Sequence, residues 1–349
     1  MRGLSVSKTD IRSLDYRELE AIFNNIGLKR FRVSQVYDWL HEKGVMSFDE
    51  MTNLSKQLRQ QLESEFEIKS CKILRKLVSS IDGTVKYLFQ FDDGSTVESV
   101  VMKYKYGYSI CISTQVGCKM GCSFCASAIG GFQRNLTPSE MLCEVFTAQR
   151  DLNIKVSHIV LMGTGEPLDN YENVLKFLRL VTDEKGQNIS MRHISLSTCG
   201  LVEKIYKLAD ENLQLTLSVS LHAPNDEIRQ KTMPVAKKYN MDELLKACKA
   251  YTDKTSRRIS FEYAMIKGVN DSVDNAEELC RRLRGILCHI NLIPVNEIKE
   301  RDYKKSDAES LKSFVSVCEK RGFAVTVRRT LGSDINASCG QLRQSTGTV

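Results

Sequence analysis

Three cysteines lie close together in the first half of the chain: Cys118, Cys122 and Cys125, in a C-x3-C-x2-C arrangement. Thiolates at this spacing can all face one metal centre, and three is one fewer than the four ligands of a closed site. A four-iron cluster held by three cysteines keeps one iron open. An open iron can chelate the amino and carboxylate groups of S-adenosylmethionine and pass an electron to its sulfonium, so the triplet predicts radical chemistry.

Two other interpretations of the triplet stay open at this point. It can be a zinc site that takes a distant ligand, or three unconnected thiols. Zinc usually draws on paired C-x2-C units or on histidines. The chain has 5 histidines, and none is close to the triplet in sequence. The spacing therefore favours an iron–sulfur cluster over both.

Composition places the chain in a broad class. Its 349 residues, 42% of them hydrophobic, can bury the core of one large domain and a small accessory one. No signal peptide is recognisable at the amino terminus, and no run approaches the roughly 18 uncharged residues that span a bilayer. The 12 cysteines are then expected to be reduced, metal-bound or catalytic. We expect a cytoplasmic protein that has no membrane partner and whose net charge of +7 suits RNA.

Hydrophobic periodicity divides the chain into two parts. Residues 15–68 are predicted to form a helical module and residues 71–103 a set of strands, with the end of an accessory domain, 1–95, near residue 95. From residue 109 to residue 329, seven predicted strands alternate with helices. This α/β pattern predicts a parallel sheet curled into an open or partial barrel over residues 96–330, followed by a tail, 331–349. Sites in such barrels lie at the carboxyl ends of the strands.

Polar residues follow several of these predicted strands. The strand at 156–162 ends in a Gly-Thr-Gly-Glu-Pro turn, where small residues let the backbone approach a ligand and Glu166 can accept a bond from an amino group. Any one such residue is more often a cap or a turn residue. Their recurrence at equivalent heights indicates a shared binding site. The other strand ends supply Ser197, Ser220, His222 and Asn296.

These residues together carry a family resemblance. The segments are 111–136 (CISTQVGCKMGCSFCASAIGGFQRNL), the GTGEP turn, 220–226 (SLHAPND), 291–296 (NLIPVN) and 337–342 (ASCGQL). In combination they resemble the RlmN family of radical S-adenosylmethionine RNA methyltransferases, from about residue 15 to residue 343. The resemblance implies a partial (β/α)6-type barrel with an N-terminal, RNA-binding helical domain and a β extension.

The resemblance also implies a cofactor set. Cys118, Cys122 and Cys125 would ligate one four-iron, four-sulfur cluster, and two molecules of S-adenosylmethionine would be used per turnover. The residues implied to bind S-adenosylmethionine are Gly165, Glu166, Ser197, Ser220, Leu221, His222 and Asn296.

The implied reaction methylates carbon 2 of adenine, an electron-poor carbon that cannot attack the methyl group of S-adenosylmethionine directly. In the family's scheme Cys339 carries the methyl group, Glu98 accepts the carbon 2 proton, and Cys111 releases the product by forming a disulfide with Cys339. The implied substrates are adenosine in 23S rRNA at the peptidyl transferase centre and adenosine 37 of tRNAs. A monomer served by an electron donor such as flavodoxin or ferredoxin is expected.

Three competing functions remain. A Cfr-type enzyme would methylate carbon 8 of the same adenine, although the GTGEP and SLHAPND segments look more like RlmN. A radical enzyme acting on a metabolite or a protein would leave Cys339 incidental. A non-enzymatic iron–sulfur or zinc protein would only bind RNA. The run at 103–108 (KYKYGY) interleaves cations with rings that can stack on bases, or is an ordinary strand edge protected by lysines.

Overall fold

The computed structural model describes residues 8–296 and 301–342. Its α-helices are α1 Tyr16–Asn25, α2 Arg30–Tyr37, α3 Lys56–Glu65, α4 Pro138–Leu152, α5 Tyr171–Thr182, α6 Val202–Asp210, α7 Asp226–Thr232, α8 Met241–Thr255, α9 Val273–Leu283 and α10 Ala308–Lys320. Its strands are β1 Thr9–Asp10, β2 Phe66–Glu67, β3 Cys71–Val78, β4 Val85–Phe91, β5 Thr96–Tyr104, β6 Gly107–Cys111, β7 Gln115–Gly117, β8 Phe132–Asn135, β9 Val156–Leu161, β10 Ile194–Thr198, β11 Thr216–Ser220, β12 Ile259–Met265, β13 Cys288–Pro294 and β14 Val325–Val327.

One sheet of ten strands organises the main part of the protein, in the order β14-β13-β12-β11-β10-β9-β6-β5-β4-β3. The seven strands from β14 to β6 pair in parallel, and β5, β4 and β3 continue the sheet in antiparallel pairing. The predicted alternation of seven parallel strands with helices is confirmed. The two edge strands, β14 and β3, are not paired with each other, so the sheet is an open barrel whose wall is lengthened by the antiparallel strands.

The helix that follows the cysteine loop begins as its sequence predicts. Thr137 accepts a hydrogen bond from the Glu140 backbone N–H at 3.3 Å, and the Glu140 carboxylate accepts one from the Thr137 N–H at 2.9 Å. This capping box, with Pro138 in the first turn, fixes where α4 starts. The Glu140 carboxylate also accepts hydrogen bonds from both terminal nitrogens of the Arg134 guanidinium, each at 2.8 Å. These bonds connect β8 to the helix.

The helical module has a core of its own, formed by buried side chains between Ile11 and Phe66. It attaches to the barrel through the fully buried Arg12, which donates hydrogen bonds to the backbone oxygens of Val45 and Lys69 and lies over the Phe146 ring at 5.5 Å. Residue 95, our predicted domain boundary, lies in the turn between β4 and β5, which pair within the large sheet. The division there stays a prediction.

A buried carboxylate on α4 supports the strands beneath the site. One oxygen of Glu144 accepts hydrogen bonds from the Ser113 N–H, at 3.0 Å, and from the Ser99 hydroxyl. Its other oxygen is buried without a hydrogen-bond partner among the described residues. Burial raises the pKa of Glu144 well above the ordinary value for glutamate. Burial thus favours the protonated form of this carboxyl.

This carboxyl makes stability depend on pH. The folded state holds the Glu144 proton more tightly than the unfolded state, so the free energy of unfolding falls as the pH rises above the ordinary glutamate pKa of about 4.3. Glu144→Gln removes the titrating group. Its thermal midpoint should exceed that of the wild type by a margin that widens from about pH 5 to pH 8. The exposed Glu63→Gln on α3 is the control, and an equal widening there would contradict the assignment.

Candidate active site

A cavity at the carboxyl ends of the parallel strands collects most of the predicted site. It holds about 970 Å³ of empty space, counting the part open to solvent. The predicted residues that line it are Cys118, Cys122, Cys125, Gly165, Glu166, Ser197, Ser220, His222, Asn296 and Cys339. Strand ends thus meet the cysteine loop where a barrel of this kind places its chemistry.

The cysteine loop is held against the barrel from two sides. The Cys118 N–H donates to the Gly131 oxygen at 2.9 Å, and the Ser123 N–H donates to the Thr232 oxygen at 2.9 Å. Gly117 begins the loop at a φ of +73°, and a Cβ there would lie 1.7 Å from the Gly131 oxygen. Only glycine fits such a position. The residue before the first cysteine is therefore fixed by backbone packing.

The three loop thiols suit a multi-iron cluster. Burial raises the pKa of Cys118 to about 11 and also raises that of Cys122 and Cys125, and the neighbouring thiols add to the increase for Cys122. Such thiols become ligands only when a strongly cationic centre replaces their protons. Among the described residues, no three histidine, cysteine or acidic side chains form a group that could hold a single metal ion. The three thiols share one wall of the cavity and are donors of the kind that an iron–sulfur cluster requires.

The Gly-Thr-Gly-Glu-Pro turn packs against the strand that leads into the loop. A Cβ on Gly163 would lie 2.6 Å from the Ile112 oxygen, and a Cβ on Gly165, whose φ is +110°, would lie 2.6 Å from the Gln115 side chain. The Thr164 N–H donates to the Ser113 hydroxyl at 3.0 Å. The two glycines are thus needed to bring the turn next to the cluster loop.

Glu166 is buried and already bonded within the protein. Its two carboxylate oxygens accept hydrogen bonds from the backbone N–H groups of Leu168, at 3.0 Å, and Cys199, at 2.7 Å. It therefore joins the ends of β9 and β10. Burial raises the pKa of this carboxyl, and the Cys199 and Leu168 N–H groups oppose the increase. Each oxygen can still accept a second hydrogen bond from a ligand in the cavity.

His222 presents a neutral ring to the cavity. Its Nδ1 accepts a hydrogen bond from the Ala264 N–H at 2.8 Å, and its ring meets the Phe124 ring edge-on at 4.8 Å. Burial, with a smaller contribution from Arg229, lowers the pKa of His222 to about 3. The neighbouring Leu221 differs: its side chain belongs to the main core and does not line the cavity, which leaves only its backbone near the site.

The chain after β14 returns to the cluster loop. The Ala126 N–H donates to the Gly340 oxygen at 2.8 Å, and the Ser127 hydroxyl donates to the Leu342 oxygen at 2.6 Å. The Asn296 side chain donates to the Cys339 oxygen at 2.9 Å. These bonds hold the tail across the cavity mouth and bring Cys339 to the loop. Residues 343–349 of the predicted tail lie outside the described residues.

Cys111, the last residue of β6, meets Cys339 in a second, smaller cavity. Both are free thiols. Burial and the neighbouring Cys339 raise the pKa of Cys111, and Arg328 opposes this. Met162, Asn296, Arg328 and Cys339 line both cavities, so the two spaces adjoin. The two cysteines far apart in sequence are thus brought to one place beside the cluster loop.

Glu98 lies outside both cavities but near the second. It is buried on β5, two residues before Val100, which lines the second cavity, so the two share a face of the strand. The Lys86 ammonium lies 2.9 Å from its carboxylate and also donates to the Asn336 oxygen at 3.1 Å. The proposed base is therefore ion-paired beneath the tail.

Sequence reasoning missed two charged residues of the site. Arg328 follows β14 and lines both cavities, and the adjacent Cys339 is the largest influence that raises its pKa. Glu262 of β12 lines the larger cavity and accepts hydrogen bonds from Ser260, at 2.7 Å, and Asn291, at 2.6 Å. A charged residue inside or directly after a buried strand was the signal that could have found both.

Comparisons with known proteins identify the family of this chain. Residues 9–68 match the ribosomal RNA large subunit methyltransferase N-terminal domain, and residues 112–281 match the radical SAM superfamily. Among similar proteins, the probable dual-specificity RNA methyltransferase RlmN of Lachnoclostridium phytofermentans is 55% identical over 338 residues, covering 97% of this chain and 95% of that protein. The corresponding protein of Clostridium novyi is 54% identical over 316 residues, covering 90% and 92%.

A solved structure extends the agreement to three dimensions. The radical SAM methyltransferase from Sphaerobacter thermophilus superposes with a TM-score of 0.92 at 41% identity, covering 96% of this chain and 99% of that one. Among the described residues, no helix is both long enough and apolar enough to cross a membrane. Since both domains match and the identity extends over nearly the whole length, the chain belongs to the RlmN family of radical S-adenosylmethionine methyltransferases.

Proposed function

We propose that this protein methylates carbon 2 of adenosine in RNA, with 23S rRNA at the peptidyl transferase centre and adenosine 37 of tRNAs as its substrates. The observation that carries the proposal is the pair of free thiols, Cys111 and Cys339, in a cavity that adjoins the one lined by the cluster cysteines. A radical enzyme acting on a metabolite has no need of this pair. We further propose that it acts as a cytoplasmic monomer reduced by flavodoxin or ferredoxin.

Cys118, Cys122 and Cys125 would hold a four-iron cluster, which would supply the electron that splits S-adenosylmethionine. The Cys339 sulfur would take the methyl group of one molecule, with S-adenosylhomocysteine as the leaving group. The electron would split a second molecule into methionine and a radical, which would remove a hydrogen atom from that methyl group. Gly165, Glu166, Ser197, Ser220, His222 and Asn296, together with the backbone of Leu221, form the proposed binding surface for S-adenosylmethionine. Glu166 would accept a hydrogen bond from the amino group of S-adenosylmethionine. The neutral His222 ring would pack against the same molecule.

Cys339 is suited to carrying the methyl group because it borders both cavities. Its backbone is held by Asn296, while its sulfur can face the cluster side or Cys111. The methylene that results would join carbon 2 of the adenine to the Cys339 sulfur. A covalent link of this kind holds the base in the smaller cavity until the protein itself breaks it.

Glu98 and Cys111 complete the reaction in the proposed sequence. Glu98 takes the proton from carbon 2, for which its carboxylate must leave Lys86. The unpaired electron left by the radical addition would return to the cluster that supplied it when this proton is lost. Cys111, as its thiolate, then attacks the Cys339 sulfur and forms the S–S bond. The electron pair of the broken sulfur–methylene bond stays on the methylene carbon, which takes up a proton and becomes the methyl group of the departing RNA. Arg328, which lines the same cavity, favours the thiolate form of Cys111 that this attack requires.

The function is tested by mass spectrometry of nucleosides from RNA treated with anaerobically reconstituted protein. We expect adenosine methylated at carbon 2. Methylation at carbon 8 would make the protein a Cfr-type enzyme, and cleavage of S-adenosylmethionine without methylated RNA would point to another substrate. Protein that binds RNA but does not cleave S-adenosylmethionine would contradict any radical function.

Loss of Glu166 should weaken cofactor binding. Glu166→Ala removes a charge-assisted hydrogen bond, typically about 1.5 to 3 kcal/mol, and should lower the affinity for S-adenosylmethionine about tenfold or more. Anaerobic calorimetry measures the affinity, and iron content should be retained. Glu172→Ala, an exposed change on α5, is the matched control. Unchanged affinity in Glu166→Ala would mean that the carboxylate only joins β9 to β10.

The two mechanistic cysteines should fail at different steps. Cys339→Ala has no sulfur to carry the methyl group and should form no adduct with RNA. Cys111→Ala should still be methylated on Cys339 and join to the adenine, but it cannot form the disulfide and should remain covalently linked to RNA. Denaturing gels of each variant purified from cells, run with and without ribonuclease, detect the linked species.

Cys288→Ala, which removes a thiol on β13 away from both cavities, should behave as the wild type in the same gels. An RNA-linked species in Cys339→Ala, or its absence in Cys111→Ala, would show that the two roles are assigned wrongly.

A further inference from the structure

One arginine is buried without an anionic partner behind the wall of the larger cavity. Arg229, on α7, is 0% exposed. Its Nη2 donates hydrogen bonds to the backbone oxygens of Cys199, at 2.7 Å, and Ser220, at 3.4 Å. Its Nε and Nη1 are buried and have no hydrogen-bond partner among the described residues. None of the three nitrogens therefore bonds to a carboxylate in that part of the chain.

A guanidinium in this position is costly. It stays protonated in proteins, and a buried charge without an opposite charge loses its hydration and gains nothing in return. Burial lowers the pKa of Arg229, and the groups that oppose this most strongly are Cys199 and Cys122, ahead of Asp226 on the same helix. The thiols beside the cavity are thus the groups whose ionisation would best compensate this cation.

Arg229 lies next to the cluster loop. Cys122 and Cys199 line the larger cavity, and burial raises the pKa of Cys122 while Arg229 opposes the increase. The carboxyl end of α7 also holds the loop, because the Thr232 oxygen accepts hydrogen bonds from the Ser123 N–H, at 2.9 Å, and from its hydroxyl, at 3.3 Å. The helix that carries the cation is therefore bonded to the residue directly after Cys122.

The carboxylates near Arg229 have other partners. Glu166 bonds the N–H of Cys199, whose oxygen Arg229 bonds, but its two carboxylate oxygens are bound by backbone N–H groups. Asp226 accepts a hydrogen bond from the Met241 N–H at 2.8 Å. Neither carboxylate forms an ion pair with the guanidinium, so the position calls for an anion that binds in the cavity.

We infer that Arg229 supplies the buried positive charge that compensates the iron–sulfur cluster held by Cys118, Cys122 and Cys125. This inference rests on the proposed cluster site and adds to it a residue outside the ligand set. Three thiolates outweigh the positive charge of a four-iron, four-sulfur core, so the loaded site is an anion. Reduction adds one electron from the donor and makes that anion more negative. A buried cation beside it therefore favours the reduced state and raises the reduction potential, which depends on the charge around such a cluster.

The test compares Arg229→Gln with Arg229→Lys. Each protein is reconstituted anaerobically and titrated with dithionite and redox mediators, without S-adenosylmethionine, while electron paramagnetic resonance measures the reduced cluster. Gln can donate a hydrogen bond but carries no charge. The ratio of reduced to oxidised cluster at a fixed solution potential should therefore fall about tenfold, which is a midpoint about 59 mV more negative. Lys keeps the charge, and its ratio should stay within about twofold of the wild type.

Arg12→Gln is the matched control. Arg12 is also fully buried with an unpartnered Nε, but it bonds Val45 and Lys69 where the helical module joins the barrel. Its loss should leave the midpoint potential unchanged even where it lowers the thermal midpoint. A second measurement is the rise in thermal midpoint when the cluster binds, which should be smaller in Arg229→Gln than in the wild type and unchanged in Arg12→Gln.

The outcomes decide between the charge of Arg229 and its bonding. A folded Arg229→Gln without iron supports the inference if Arg229→Lys retains iron, whereas loss of iron from both variants would mean that the bonds of the guanidinium hold the loop, and would overturn it. A midpoint potential equal to that of the wild type in Arg229→Gln would also overturn it. An unchanged potential with about tenfold weaker binding of S-adenosylmethionine would assign the charge to the carboxylate of that molecule instead. If Cys122→Ala keeps the full iron content of the wild type, the proposed cluster site itself fails.

Discussion

Attachment of the tail to the cluster loop is the constraint on which the rest of the site depends. Cys339 comes more than two hundred residues after Cys118, Cys122 and Cys125. It is held beside them because Ala126 and Ser127 bind the oxygens of Gly340 and Leu342, and because Asn296 binds its own backbone oxygen. Those donors belong to the loop whose own shape is set by Gly117 packed on Gly131. A distortion of the loop would therefore displace the three proposed cluster ligands and Cys339 together.

The combination of parallel and antiparallel strands in the sheet also shapes the site. The parallel strands converge their polar ends on one cavity, which is the property of barrels of this kind. The antiparallel strand β5 extends the sheet beyond β6, so that Val100 lies opposite Cys111, with Glu98 two residues earlier on the same strand. Val100, Met102 and Tyr104 of β5 line the smaller cavity. A barrel that ended at β6 would therefore have the larger cavity but would lack this wall of the smaller one. The β extension thus supplies one wall of the smaller cavity, which Cys111 and Cys339 share.

Much of the fold and of the larger cavity was predictable from the sequence, because hydrophobic periodicity determines the elements and the position of a residue after a strand determines where it lies. Alternating strands and helices fixed the parallel sheet, the Thr137–Glu140 capping box fixed the start of α4, and residues directly after strands were bound to meet at one edge. Of the predicted cofactor contacts, only the Leu221 side chain is turned into the core. The short helix α7, begun by Asn225 as its N-cap, was not predicted, since one turn or two of helix carries little periodic signal.

What the sequence could not supply are relations between distant side chains. Nothing local reveals that Glu166 binds the Cys199 backbone, that Lys86 pairs with Glu98, or that Arg328 stands beside Cys339. The contact of the Tyr106 ring with His158 is of the same kind: the run at 103–108 contains Tyr106, but only the register of β6 with β9 brings His158 beside it. The pairing of strands far apart in the chain decides such contacts, and that pairing cannot be read from the local pattern of a single sequence.

The proposed chemistry requires the sulfur of one residue to act in two places, and Cys339 lies where the two cavities adjoin. Cys339 borders the cluster cavity and the Cys111 cavity at once, while its backbone oxygen is bound by Asn296. Turning about the bond from Cα to Cβ changes the direction of the sulfur while the backbone stays bound to Asn296. Lys86 contacts both the Glu98 carboxylate and the backbone oxygen of Asn336 in the tail. A shift of the tail at Asn336 would therefore also change the ion pair that holds Glu98, the proposed proton acceptor.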